Sequence, residues 1–308
     1  MINLTFIVGV TAVGKTDWAL ELAKLIHSNK KISTGILNAD SIQIYKDLNI
    51  GSAKPDKSCY PDINFYLFDE LSAPQIGTAG FFRDKSLKIL HKKLPKEKIF
   101  IVGGSGFYLQ ALEKGMYPIE SENRISQSKK ISNINKLNLK DKKKLYQILE
   151  KKDPLTAKNI SPNDSYRIQR ALYLINKEDK KLSQIKKDFK KQTLPWSYRK
   201  IGLKIPKEQL LKRVKQRTQS MLKKGLIEET ESLIKKGLKN WKPLSSIGYN
   251  EVLLYLDGQI KKEDLESMIV AKTMKLAKKQ TTWFKKDTTI QWFDWNLSPL
   301  KVYKQFFK

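Results

Sequence analysis

Residues 4–26 read LTFIVGVTAVGKTDWALELAKLI: an apolar run, a glycine-framed loop and an amphipathic segment in direct succession. Leu4 to Val8 suits a buried parallel strand, while Trp18, Leu22 and Leu25/Ile26 repeat at helical spacing. Between them, Gly9 to Thr16 fits G-x-x-x-x-G-K-[ST], a phosphate loop. Each residue type has a physical use. Gly9 and Gly14 permit a tight turn, so that successive N–H groups along Thr11, Ala12 and Val13 point at a diphosphate. Lys15 adds a point charge, Thr16 a hydroxyl for Mg2+, and the start of the helix its dipole.

Working outward, 308 residues can bury a full core and suit two domains, or one domain with an insertion. The formal net charge of +29 is extreme for a metabolic enzyme. Most of it is lysine in runs such as Lys142 to Lys144, which commonly form solvated helix faces. An excess this large still predicts attraction to a polyanion, nucleic acid before membrane surface. No apolar segment is long enough to span a bilayer, and the N-terminal apolar run leads straight into the phosphate loop, so it reads as structure and not as a signal peptide. One cysteine, Cys59, and two histidines, His27 and His91, exclude a disulfide framework and an ordinary zinc module. A reducing, cytoplasmic location is expected.

Thr34 to Asp40 reads as a second strand ending in an acid, placed where open α/β sheets hold their ligands. Asp40 is a candidate for metal binding or for accepting a proton. Asn64 to Phe68 suits a short strand, Gly77 to Lys93 a helix with Phe81, Leu87 and Leu90 inward, and Lys98 to Val102 a buried strand. That strand runs into Gly103-Gly104-Ser105-Gly106, a second glycine turn able to bring backbone close to a ligand. No Asp or Glu ends this strand, so the second acidic partner of an ATPase phosphate loop is missing.

From residue 113 the character changes. Residues 120–145 are polar and lysine-rich, which suggests mobile or weakly packed helices. Pro162-Asn163-Asp164 can cap a helix from Ser165 to Asn176, on which Arg167 and Arg170 fall nearly on one face. Lys177 to Lys191 reads as a further basic helix, and Tyr198 to Ile205 as a strand returning to the sheet. Pro206 to Lys236 reads as one long helix loosened at Gly225, with Arg213 and Arg217 on a shared face from which one or both can reach a diphosphate. Helices are also expected over Ser245 to Asp257 and Lys261 to Phe284, the second carrying Lys272, Lys275, Lys278 and Lys279 beside Trp283. The fold class is therefore α/β: a P-loop NTPase-like parallel sheet flanked by helices, with an inserted helical domain. The core takes residues 1–112 and 195–308, and the insertion, read as gripping a polyanion, residues 113–194.

An ordered set of motifs resembles the bacterial-type tRNA dimethylallyltransferase family. The set comprises the phosphate loop, Asn38-Ala39-Asp40-Ser41-Ile42-Gln43-Ile44-Tyr45, Asp47 to Pro55, Val102 to Tyr108, Pro162-Asn163-Asp164 with Arg167 to Leu172, Ile247 to Glu251, and Ala277 to Phe284. Ser105 stands where the family usually has Thr, Ser161 where it has His, and Met274 and Lys279 where it has Arg. The resemblance implies transfer of a dimethylallyl group from dimethylallyl diphosphate to N6 of adenosine 37, in tRNAs reading codons that begin with U. It implies that Gly9, Thr11, Ala12, Val13, Gly14, Lys15 and Thr16 hold the diphosphate, with Mg2+ on Thr16. Asp40 is then the base, Thr11 a substrate-positioning residue and Arg217, matched within Arg217…Met221…Gly225-Leu226, a further clamp on the leaving group. Contacts to the tRNA anticodon stem-loop are implied for Asp40, Ser41, Ile42, Gln43 and Ser105, and for Tyr166, Arg167, Ile168, Gln169 and Arg170. The enzyme is expected to work as a monomer, away from membranes.

Two rival readings share the first domain. A nucleotide or small-metabolite kinase explains the loop and Asp40 but not the charge, the insertion or Gly103-Gly104-Ser105. A non-catalytic RNA-binding NTPase switch lacks its second acidic motif. ATP turnover without RNA separates both from the transferase.

Overall fold

The computed structural model describes residues 3–116 and 139–307. Two compact units form the chain, one of Met1–Lys114 with Thr193–Lys308, the other of Gly115–Gln192. In the first, β1 (Leu4–Gly9), β2 (Ser33–Asn38), β3 (Ile63–Tyr66), β4 (Glu97–Gly103), β5 (Tyr198–Lys204) and β6 (Ile290–Asp294) make one sheet in the order β3-β2-β4-β1-β5-β6. Every pairing is parallel. β1 and β4 are buried along their whole length, as central strands covered on both faces require.

Helix α1 (Lys15–Lys30) covers one face through Trp18, Leu22 and Ile26, joined by Val302 and Tyr303 of the last helix, α12 (Pro299–Phe306). The other face takes α2 (Ala79–Lys93) and α3 (Gly106–Lys114). In α2 the fully buried aromatic is Phe82, while Phe81 packs at the edge of a separate cluster. β6 and α12 were not foreseen, because β6 is a five-residue edge strand with only Ile290 buried and carries little apolar signal.

Pro206 to Lys236 is two helices. α8 (Lys207–Lys223) stops at Lys224, and α9 (Leu226–Lys235) starts after Gly225, whose φ of 97° no helix can continue through. The break frees α9 to place Glu229 against the turn at residues 49–51. Its carboxylate accepts the N–H groups of Asn49 (2.9 Å), Ile50 (2.9 Å) and Gly51 (3.2 Å), and the Tyr249 hydroxyl (2.5 Å). Tyr249 opens α10 (Tyr249–Leu256), and burial beside this carboxylate pushes its hydroxyl pKa well above the ordinary value. Glu229→Ala strands these donors, and urea unfolding is expected to show a loss of about 2 to 3 kcal/mol.

In the second unit α4 (Leu139–Lys152), α5 (Pro154–Lys158), α6 (Ser165–Glu178) and α7 (Leu182–Asp188) enclose a small apolar cluster of Leu149, Ala157, Ile168, Ala171, Leu172, Leu174, Ile175 and Leu182. Asp164 caps α6 by accepting the Arg167 N–H at 3.0 Å. The helix expected over Lys177 to Lys191 shortens to α7, and the polar stretch at 117–138 lies outside the described residues. The remaining long helix, α11 (Lys262–Phe284), belongs to the first unit and packs through Leu265, Ile269, Val270, Ala277 and Phe284.

Candidate active site

The carboxyl ends of β1, β2 and β4 meet at a cavity of about 460 Å3 lined by the phosphate loop, Asp40, Lys54, Gly103, Gly104, Arg213, Arg217 and Gln280 among others. Gly9 turns the chain out of β1 with φ 150°, and a Cβ there would lie 2.8 Å from the Leu203 carbonyl oxygen, so only glycine fits. Ala12 (φ 61°) and Gly14 (φ 95°) take left-handed conformations that wind the loop into α1.

Lys15 bends back over this loop and donates to the Val10 carbonyl at 2.7 Å. Burial lowers its pKa to about 8, against an upward pull from the Asp40 carboxylate and a further downward push from Arg217. Burial likewise lowers the Arg217 guanidinium, opposed by Asp40 and Asp17. Apart from Lys54, which is paired with Asp69, the cavity collects three cationic side chains, Lys15, Arg213 and Arg217, against two carboxylates, Asp17 and Asp40. An anion suits that balance.

The expected residues divide in use. Arg213 and Arg217 both reach the cavity, but Arg213 is tied to the protein: its Nε donates to the Ala12 carbonyl at 2.9 Å, and its guanidinium lies 5.0 Å from the Trp295 ring centroid. It braces the loop. Asp40 follows β2 by two residues; its Oδ1 accepts the Ile42 N–H at 2.8 Å, while Asn38 Oδ1 accepts the N–H of Asp40 at 2.9 Å. The first bond aims the carboxylate and the second fixes the backbone that carries it.

Three features depart from the sequence reading. Thr11 does not offer its N–H to a diphosphate, because that group donates to Gln280 Oε1 at 2.7 Å. The Val13 N–H, also expected on the diphosphate, donates to the Val10 carbonyl at 3.4 Å, whereas the amides of Ala12, Gly14, Lys15 and Thr16 donate to no other group among the described residues, which leaves the cradle to them. Gln43 uses its amide nitrogen to brace the turn below it, donating to Ser52 and Ala53 carbonyls at 3.1 Å each. Ile42 is half-buried and packs against the apolar cluster around Leu226 and Tyr249, while Ile168 is fully buried within its own unit, so its side chain is not free to meet a ligand. Ser41 and Ser105 stay half-exposed at strand ends. On α6, Tyr166 and Arg167 are exposed, Arg167 pairs with Asp164 at 3.3 Å, and Arg170 stacks over Tyr173 at 5.7 Å.

Lys54 was quoted only within the Asp47 to Pro55 motif. It lines the cavity yet donates to Asp69 (2.6 Å), Asn49 (2.9 Å) and the Tyr45 carbonyl, so its donors hold the wall together. Gln280 was quoted only within a motif, with no task assigned.

Known proteins resemble this chain over most of its length. The model of the IPP transferase family covers residues 43–287. The chain belongs to the IPP transferase family. Residues before 43, with the phosphate loop and Asp40, fall within the span of full-length relatives. The tRNA dimethylallyltransferase of Bdellovibrio bacteriovorus is 41% identical over 298 residues, 95% of this chain and 93% of its own. Among solved structures, a tRNA delta(2)-isopentenylpyrophosphate transferase from Staphylococcus epidermidis aligns with TM-score 0.67 at 30% identity, covering 99% of this chain and 97% of that one. A eukaryotic dimethylallyltransferase acting on tRNA has TM-score 0.77 at 24% identity, covering 99% of this chain and 76% of that one; it shares the fold. Against that family frame, no helix among the described residues is long and apolar enough to cross a membrane.

Proposed function

We propose that the protein transfers the dimethylallyl group of dimethylallyl diphosphate to N6 of adenosine 37, in tRNAs reading codons that begin with U, as a monomer in the cytoplasm. One observation carries the reading: a single cavity sets a phosphate loop with Lys15 and Arg217 beside a strand-end carboxylate, Asp40. The second acidic strand end of an ATPase phosphate loop is missing, since β4 ends in Val102-Gly103. Prenyl transfer needs only a clamp for the leaving diphosphate and an acceptor for one proton.

In the reaction the bond between the allylic carbon and the diphosphate oxygen breaks, and a bond from N6 to that carbon forms. The electron pair of the broken bond leaves on diphosphate. Lys15, Arg217 and the free loop amides stabilise that charge as it develops. N6 is a poor nucleophile because its lone pair is delocalised into the purine, so Asp40 orients it and takes its proton as bonding advances. Thr11, fixed at the start of the loop, positions the donor.

The donor set also fits Mg2+. Thr16 brings one hydroxyl oxygen to the cavity, and Mg2+ bound with a diphosphate keeps most of its waters and needs few protein ligands. Among the described residues no trio of His, Cys, Asp or Glu is placed to hold a metal alone. When bound, the ion supplies further neutralisation of the departing charge.

The acceptor base is stacked in the anticodon loop and must leave the stack to reach Asp40. Ser41 and Ser105 flank the cavity's strand ends, Gln43 keeps its carbonyl oxygen available, and Tyr166, Arg167, Gln169 and Arg170 offer stacking and phosphate contacts on α6. The test incubates purified protein with Mg2+, dimethylallyl diphosphate and unmodified tRNA bearing adenosines at positions 36 to 38. Mass spectrometry of the nucleoside digest is expected to show N6-dimethylallyladenosine, with ATP untouched. No such peak, and ATP consumed instead, would overturn the assignment in favour of a kinase.

A further inference from the structure

Gln280 joins two loops that the chain places far apart. From the penultimate turn of α11 its Oε1 accepts the Thr11 N–H at 2.7 Å, while its Nε2 donates to the Gly104 carbonyl at 3.0 Å. Thr11 opens the phosphate loop after β1, and Gly104 begins the turn after the neighbouring strand β4. Both loops line the cavity, as does Gln280.

The geometry is selective. One arm must accept and the other donate, which among side chains of this length only glutamine does; ionised Glu lacks the donor, and Met has no donor and only a weakly accepting sulfur. A Cβ on Gly104 would stand 2.5 Å from Gln280 Nε2, so the glycine is what lets the amide sit there. The helix does not need this pair to stay docked, since Leu265, Ile269, Val270, Ala277 and Phe284 are buried beneath it. Two aligned hydrogen bonds inside a cavity, added to an already anchored helix, serve the loops they hold.

We propose that Gln280 is a positioning residue for prenyl transfer. It locks the Thr11 end of the phosphate loop against Gly104, diverts the Thr11 amide from the diphosphate, and so sets where the allylic carbon lies relative to Asp40. The inference rests on the reading of this cavity as the transfer site. Small displacements of reacting atoms are costly: about 1 Å can lose about 100-fold in rate.

The test uses the full chain with Gln280→Met, which keeps volume and removes both bonds, and Gly104→Ala, which pushes the amide away without touching Thr11. Amide hydrogen exchange reports the Thr11 N–H, protected in the parent and exposed in both variants. At saturating dimethylallyl diphosphate and tRNA, Gln280→Met is expected to lower kcat by about 10- to 100-fold. KM for tRNA should stay within about twofold and Tm within a few degrees, because the helix keeps its apolar seat. The double variant should be no slower than the slower single one, since both substitutions disrupt the same Gln280 bridge. An unchanged kcat, or a loss that tracks Tm or tRNA affinity, would overturn the proposal. Failure of the underlying reading looks different: the parent protein forms no prenylated nucleoside, while Thr11 exchange still responds to Gln280→Met.

Discussion

Asp40→Asn is expected to lower kcat for prenyl transfer by about 10^2- to 10^4-fold, the usual contribution of a positioned general base. The substitution is close to isosteric. Its side-chain oxygen still accepts the Ile42 N–H that Asp40 Oδ1 accepts at 2.8 Å, so the loop after β2 keeps its course. What disappears is the charge that takes the N6 proton. The same change predicts an opposite effect on the other substrate. Asp40 shares the cavity with Lys15 and Arg217, and its negative charge opposes a diphosphate there. Removing it should leave the affinity for Mg2+-diphosphate unchanged or raise it, as measured by calorimetry. A variant that loses turnover while holding or gaining donor affinity places Asp40 on the proton. Parallel loss of both would mean that the carboxylate organises the site and does no chemistry.

Much of this site was legible because its parts are local. The phosphate loop is a contiguous motif whose glycines, lysine and threonine each answer to backbone geometry or charge, and Asp40 ends a run that reads as a strand. Gln280 was hidden for the converse reason. It lies 269 residues from the amide it binds, in a lysine-rich helix where one glutamine has no local signature. Arg213 and Arg217 looked equivalent by spacing; the family motif singled out Arg217, and the Ala12 carbonyl accounts for Arg213 as a brace. Gly103-Gly104-Ser105-Gly106 was read as backbone approaching a ligand. Gly103 and Gly104 do line the cavity, yet the closest demands on space come from protein: Ala39 at Gly103 and Gln280 at Gly104. Gly225 was recognised as a weak point, and its left-handed φ of 97° makes it a full break between α8 and α9.

Lys15→Ala is expected to weaken donor binding by about 10^2- to 10^3-fold, the scale of about 3 to 4 kcal/mol for removing one partner of a desolvated charge pair. In the parent protein the same residue predicts a pH dependence. Burial lowers the Lys15 pKa to about 8, so the ammonium that meets the diphosphate is present below that pH and lost above it. The donor's last phosphate ionisation lies at about 6 and is complete across the range that matters. Affinity for dimethylallyl diphosphate should therefore hold steady from about pH 7 to 8 and fall as pH rises further, with Kd increasing by up to tenfold per unit in the steep region. Bound diphosphate favours the charged lysine and raises its pKa in the complex, so proton uptake should accompany binding near pH 8 and shrink toward pH 7. Calorimetry in two buffers of different ionisation enthalpy measures that uptake directly. Lys15→Ala should abolish both the bend in Kd and the proton uptake. A bend that survives in the variant would assign the titration to another group and remove Lys15 from the clamp.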